Sequence, residues 1–233
     1  MSGRLVRVGY AQTLHYLLFG VRAVQFRCSR PALGARHWPV FGVPGQSVAL
    51  TIDDGPHPEW TPRMLDLLAR HRIRATFFLV GARVRERPDL ARRILAAGHV
   101  LGNHSMSHPQ PFAALPAPSV RTEIAATQRE IEDATGVEPR LFRAPGGNWS
   151  RDVLRATAES GLVPVDWTVN PSDWRSPGVD RITRSLCRSR AGHVLLCHDG
   201  GGDRSQTVAA LEAALPRLLD RGLRFVIPAA AGR

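Results

Sequence analysis

From Gln46 onward the chain alternates short apolar runs with longer stretches in which apolar residues recur every three or four positions. The short runs are Ser47–Ile52, Ala75–Val80, His99–Gly102, Leu141–Arg143, Val163–Thr168, His193–Cys197 and Arg224–Ile227, mostly rich in Val, Leu and Phe. They read as strands covered on both faces. The longer stretches, Pro62–His71, Ala82–Ala97, Ser119–Thr135, Arg151–Ser160, Arg181–Arg190 and Thr207–Arg221, predict amphipathic helices. Four of them stop just before a glycine: Gly98, Gly136, Gly161 and Gly222. A left-handed residue ends a helix there without a Cβ clash. About seven such units in roughly 180 residues predict an α/β fold, an irregular (β/α)7 barrel, with an open doubly wound sheet as the alternative. No GxGxxG follows a strand, so a dinucleotide site is unsupported.

Residues 1–46 differ and are expected to form an N-terminal arm. Arg4 and Arg7 precede a mixed apolar run, Val8–Val21, that Gln12, Thr13 and His15 interrupt. The run is too short and too polar for a spanning helix, and no small-x-small cleavage pattern follows it. Leu14, Leu17, Leu18, Val21 and Val24 recur at helical spacing. They permit a helix lying on the protein body or on a membrane surface; the bland alternative is a loose arm. Pro39, Pro44 and Gly45 mark a linker, and residues 229–233 read as a tail.

Charge changes this picture less than it first promises. All 31 basic residues are Arg, against 20 acidic ones, for a net charge of +11. The absence of lysine excludes Schiff-base and P-loop lysine chemistry. The charge fits an anionic partner such as a lipid surface or an acidic wall polymer, or simply an Arg-rich host. No nucleic-acid motif appears and no aromatics interleave a basic run, so no nucleic-acid partner is expected. Cys28, Cys187 and Cys197 are odd in number and form no CxxC, which argues against both a disulfide framework and a thiolate zinc site.

In barrels of this class chemistry lies at the carboxyl ends of the strands. The polar clusters fall there: Asp53-Asp54, Asn103-His104, Arg143, Asp173-Trp174 and His198-Asp199. His104 and His108 are spaced i, i+4 and could share one metal, although Pro109 and Pro111 forbid a long helix. Adjacent carboxylates at Asp53 and Asp54 repel each other unless a cation compensates one. One of them could instead cap the helix near Pro58. In the functional reading, alternation along the strand sends one carboxylate to a metal and its neighbour to the substrate. One carboxylate and two imidazoles describe an open catalytic zinc site, with a second carboxylate to take a proton and His198 to give one. That is a metal-assisted hydrolase of amides or esters.

Five segments, TIDDGP (51–56), HSMSH (104–108), RAPGG (143–147), DW (173–174) and LLCHD (195–199), resemble in order and spacing the motifs of the polysaccharide deacetylases with a NodB homology domain, carbohydrate esterase family 4. The resemblance covers about residues 47–228, which it implies are the catalytic domain. It implies an irregular (β/α)7 barrel that removes N-acetyl groups from N-acetylglucosamine-type glycans such as peptidoglycan or chitin. An O-acetyl xylan esterase or a small-molecule amide deacetylase is the alternative, and a non-catalytic basic envelope- or nucleic-acid-binding protein a remote one. Asp53 matches the general base, and Asp54, His104 and His108 the ligands of one divalent metal, zinc first, with cobalt, nickel or manganese as substitutes. Arg143 matches the residue that positions the base, and the Gly146 N–H the oxyanion donor. Asp173 matches the partner of the general acid His198. Trp174 and Leu196 match the apolar walls around the acetyl methyl, and where the third motif lacks an aromatic here, either the substrate shelf is more open or Trp149 stands in for the ring. The second departure is Asn170, where the family often has Asp. The remaining expectations are a monomer in the cell envelope or secreted, with the cytoplasm as the alternative, and a membrane contact through the arm.

Overall fold

The computed structural model describes residues 23–26, 38–41, 43 and 45–228. Strands β1 (Ala23–Phe26) and β2 (Trp38–Phe41) pair antiparallel. Then follow β3 (Ser47–Gly55), α1 (Trp60–Arg70), β4 (Thr76–Leu79), α2 (Gly81–Glu86), α3 (Pro88–Ala96) and β5 (Val100–Asn103). The second half holds α4 (Ala117–Thr135), β6 (Leu141–Phe142), α5 (Arg151–Glu159), β7 (Val163–Pro164), α6 (Val179–Cys187), β8 (Val194–His198), α7 (Ser205–Asp220) and β9 (Arg224–Phe225). β3 to β9 form one seven-stranded sheet in the order β7-β6-β5-β4-β3-β8, with β9 beside the start of β3. Every pairing in it is parallel. Parallel strands need crossover helices, and those helices cover the sheet, which is why its strands carry unbroken apolar runs.

The stretch 163–169 curls the sheet toward closure. At one end Val163 pairs with Leu141 in β6, and the Val165 amide donates to Phe142 O. Three residues later the Thr168 amide donates to Val194 O, and the Leu196 amide in β8 donates to Val169 O. One segment therefore touches both flanks of the sheet. The main core packs Ile52, Phe77 and Leu195 of the strands against Met64, Leu68 and Leu215 of the helices. A second cluster gathers Phe112, Phe142, Val153 and Leu162.

Several expectations change. The helix read over 82–97 is two helices, because Arg87, at φ −136°, precedes Pro88. The residue before proline avoids the helical region. The strands read at Leu141–Arg143, Val163–Thr168 and Arg224–Ile227 keep only two ladder residues each. Val24, the last position of the helical pattern in the arm, lies in strand β1, and Pro39, read as linker, lies in β2 opposite Gln25. In a two-stranded pair both strands are edges, where proline's missing N–H is tolerated. Gly45 takes the left-handed conformation, φ 60°, whereas Arg4, Arg7, Val8–Val21, Pro44 and the tail lie outside the described residues. The four predicted glycine stops all adopt positive φ, from 67° at Gly161 to 83° at Gly98.

Candidate active site

The carboxyl end of β3 carries a bulge. Asp53 faces Phe78 of β4 and Gly55 faces Leu79, so Asp54 has no partner across the ladder. Asp54 takes the left-handed conformation, φ 73°. This overturns the alternation argument. In a regular strand the two carboxylates would point to opposite faces; the inserted residue turns them to one side. His104 Nε2 lies 3.7 Å from Asp53 Oδ2 and 3.5 Å from Asp54 Oδ1. Neither carboxylate caps α1; His57 Nδ1 accepts the Glu59 and Trp60 amides there instead.

His104 follows β5 and is buried. Its Nδ1 lies 2.8 Å from the carbonyl oxygen of Arg143, a contact in which only a ring N–H can donate. That fixes the tautomer and leaves the Nε2 lone pair facing Asp54. The next residues form a loop in which Ser105 and His108 have φ 66° and 55°. This loop, not a helical turn, carries His108 Nε2 to 3.2 Å from Asp54 Oδ1. Among the described residues, Asp54, His104 and His108 are the one group of such donors whose ligand atoms all lie within 4.8 Å of each other. Asp54 Oδ1 is buried and accepts no hydrogen bond among the described residues. An orphaned carboxylate oxygen facing two imidazole nitrogens fits a divalent cation, and the N,N,O set suits zinc.

Asp53 is held from the other side. Arg143 is fully buried, and its Nη1 donates to Asp53 Oδ1 at 2.7 Å and to Thr51 Oγ1 at 2.8 Å. Nε donates to Val165 O and Nη2 to Asp166 O, both at 3.2 Å. The guanidinium also lies 4.3 Å from the Phe78 ring centroid and 5.6 Å from that of Trp167. A buried cation is tolerable because its donors and its charge are both met.

The other half of the site comes from β8. Asp53 pairs in register with His198, so the two neighbour each other across the β3–β8 ladder. His198 Nδ1 lies 2.8 Å from Asp173 Oδ1, and its amide donates to Asp173 Oδ2 at 2.9 Å. Thr207 Oγ1 donates to the same oxygen at 3.0 Å. Burial alone would lower the His198 pKa, but the Asp173 carboxylate overrides it and raises it to about 9. Asp199 is buried beneath Gly55, where burial pushes its carboxyl up to about 7 against the hydrogen bond donated by Thr61. A Cβ on Gly55 would overlap that carboxylate, so only glycine fits.

Of the remaining predicted residues, Gly146 lies in the turn Pro145–Gly147 with φ 61°. Leu196 is buried in β8. Trp174 is 48% exposed, with the Arg175 guanidinium 4.5 Å from its ring centroid. Trp149 does not serve as a substrate-facing ring. It is buried edge-on against Phe142, 5.8 Å between centroids, where its area goes into packing. Asn170 accepts the Ser172 amide at 2.8 Å, closing the turn before Asp173. Thr51, Thr207 and Asp199 had been given no role. Thr51 and Asp199 lie inside quoted motifs, whereas Thr207 carried no local signal. Cys197 is a buried free thiol.

Comparison with known proteins agrees with this geometry. Residues 42–165 match the family model described as polysaccharide deacetylase. The chain is 43% identical over 201 residues to a chitooligosaccharide deacetylase of Sinorhizobium fredii, covering 81% of this chain and 92% of that protein. It is 40% identical over 182 residues to a peptidoglycan-N-acetylglucosamine deacetylase of Bacillus cereus, covering 77% and 84%. The solved Bc1960 peptidoglycan N-acetylglucosamine deacetylase superposes with a TM-score of 0.77 at 36% identity, covering 81% of this chain and 89% of that one.

Proposed function

Because the chain belongs to the polysaccharide deacetylase family, we propose that it hydrolyses the acetamide of N-acetylglucosamine residues in peptidoglycan or chitin oligomers, releasing acetate. The observation that carries this reading is the pairing of Asp53 with His198 on adjacent strands, each held by its own partner, beside the Asp54–His104–His108 group.

Asp54, His104 and His108 would hold one divalent cation, with zinc favoured by the donor set and cobalt, nickel and manganese as substitutes. When bound, the cation supplies Lewis-acid polarisation and makes water acidic near neutral pH. The other steps belong to the protein. Asp53, held in place by Arg143, takes a proton from the attacking water. The Gly146 N–H donates to the oxygen that gains charge as the carbonyl carbon becomes tetrahedral. His198, kept charged by Asp173, protonates the departing amine. Leu196 and Trp174 wall the acetyl methyl.

The catalytic set is complete within one chain, which supports action as a monomer. A wall substrate places the enzyme in the cell envelope or outside the cell, and the basic arm with Arg4 and Arg7 would contact the anionic membrane surface. Among the described residues no helix is long and apolar enough to cross a membrane.

Acetate release from chitin oligomers, peptidoglycan and acetylxylan, with and without a chelator and added Zn²⁺ or Co²⁺, tests the reading. Metal-dependent release from the first two supports it. Release from acetylxylan alone would assign an O-acetyl esterase, and release from none of them would overturn the proposal. Fractionation of the native host tests the location, and a soluble cytoplasmic pool alone would reject it.

A further inference from the structure

Asp54 is left-handed, which costs a residue with a Cβ about 1–2 kcal/mol. Something must hold it there, and the holding group is an arginine outside every motif. Arg83 Nη1 donates to the carbonyl oxygen of Asp54. The bulge leaves that carbonyl without a ladder partner, so the guanidinium takes the place a strand amide would fill. Gly200 presses on the contact from the far side, where a Cβ would overlap both Asp54 O and Arg83 Nη1.

Arg83 belongs to α2, and α2 also holds the imidazole loop. The Gly81 amide donates to Ser105 O at 3.1 Å, and the Ala82 amide to Met106 O at 2.9 Å. Both acceptors lie between His104 and His108. One six-residue helix thus braces the carboxylate segment with a side chain and the imidazole segment with its first two amides. We infer that Arg83 is a positioning residue of the metal centre, setting through the Asp54 carbonyl the backbone conformation that aims the Asp54 carboxylate at His104 and His108. This rests on the metal-dependent reading given above.

The sign of the effect separates positioning from charge. Arg83 is a cation beside a cation site, so by Coulomb's law its removal should tighten metal binding. If it positions Asp54, its removal should weaken binding instead. The experiment measures the Zn²⁺ dissociation constant of the metal-stripped full chain by competition with a chromophoric chelator, and the visible spectrum of the Co²⁺-loaded chain. In Arg83→Met the dissociation constant should rise ~10–100-fold, the usual cost of losing a group that orients a ligand. The Co²⁺ spectrum should change while circular dichroism does not. Arg83→Lys, which restores one donor, should recover most of the affinity. Gly200→Ala, which wedges the same contact from the other side, should weaken binding as well and serves if Arg83→Met fails to fold. Unchanged or tighter Zn²⁺ binding in Arg83→Met, or in Gly200→Ala in its place, would overturn the inference alone. Failure of the unaltered chain to bind any divalent metal would overturn the metal-dependent reading and this inference with it.

Discussion

The Nδ1 nitrogen of His104 sits 2.8 Å from the carbonyl oxygen of Arg143, the residue whose guanidinium grips Asp53 at 2.7 Å. One residue therefore orients an imidazole with its backbone and a carboxylate with its side chain. Metal site and proton acceptor are tied to the same point on β6's carboxyl end, and a substitution there should disturb both.

Arg143→Met should consequently be among the most damaging changes in the chain. It leaves Asp53 buried beside an apolar side chain and removes a donor from the Thr51 hydroxyl, Val165 O and Asp166 O. Removing one partner of a buried pair costs about 3–5 kcal/mol. Denaturant unfolding should show a fall of that size. A midpoint within error of the unaltered chain would contradict the description of Arg143 as the centre of this network.

Asp53→Asn separates the two functions of the adjacent carboxylates. The isosteric amide keeps a partner for Arg143 but cannot accept a proton at neutral pH. Metal content should stay at the unaltered level, while turnover falls at least ~100-fold, on the scale of acid–base catalysis. Asp54→Ala and His104→Ala should instead lose metal and activity together. Metal analysis and acetate release on the three variants decide the matter, and full turnover in Asp53→Asn would remove Asp53 from the base role.

Asp173 sets the alkaline side of the pH profile. The His198 pKa, raised to about 9, means the proton required of a general acid is present at neutral pH and lost as pH rises through about 9. The stability sign agrees: a histidine whose folded value exceeds its unfolded value stabilises the fold fully below the unfolded value, and that contribution fades as pH climbs through about 9. Asp173→Asn removes the charge, so the alkaline limb of kcat/KM should move down by ~1–3 pH units. An alkaline limb that stays put would show that another group donates the proton.

Gly55→Ala tests the fit between β3 and the loop after β8. The new methyl would overlap the Asp199 carboxylate, which is held by the Thr61 hydroxyl and by the Asp199 amide bond to Asp53 O at 3.1 Å. Overpacking of this kind costs about 1–3 kcal/mol. A lower melting temperature together with weaker metal binding is expected, because the displaced bulge carries Asp54. A variant as stable as the parent would show that Asp199 can move aside freely.

The hydrophobic pattern carried the barrel because its strands are covered on both faces and its helices end on glycines that cannot be mistaken for helix interior. Gly98, Gly136, Gly161 and Gly222 illustrate this, all with positive φ. Pro88 should have divided the helix read over 82–97, yet the amphipathic period runs through it and masked the break. Asp53, Asp54, His104, Arg143 and His198 were legible because each stands at or just past a strand end, and the remaining motif residues because of the order of the five segments. Their mutual geometry was not. The period-two rule assigned Asp53 and Asp54 to opposite faces, and nothing local announces a bulge. Trp149 reads in the sequence only as a replacement for a missing aromatic, and nothing local shows that it packs into the cluster with Phe112 and Phe142. Arg83 was one arginine among 31, distinguishable only once a carbonyl with no strand partner stood beside it.

The rung shared by Asp53 and His198 has a further consequence. Neighbouring strands keep a spacing of about 4.8 Å whatever side chains they carry. The spacing of the backbones that carry proton acceptor and proton donor is thus ruled by the ladder's hydrogen bonding. The loop bearing Trp174 also carries Asp173, and the Pro145–Gly147 turn follows Arg143, so the residues that hold His198 and Asp53 must stay while the exposed parts of each loop can vary. A scaffold that anchors its proton path on one rung of the ladder can vary the exposed parts of its loops around a fixed pair.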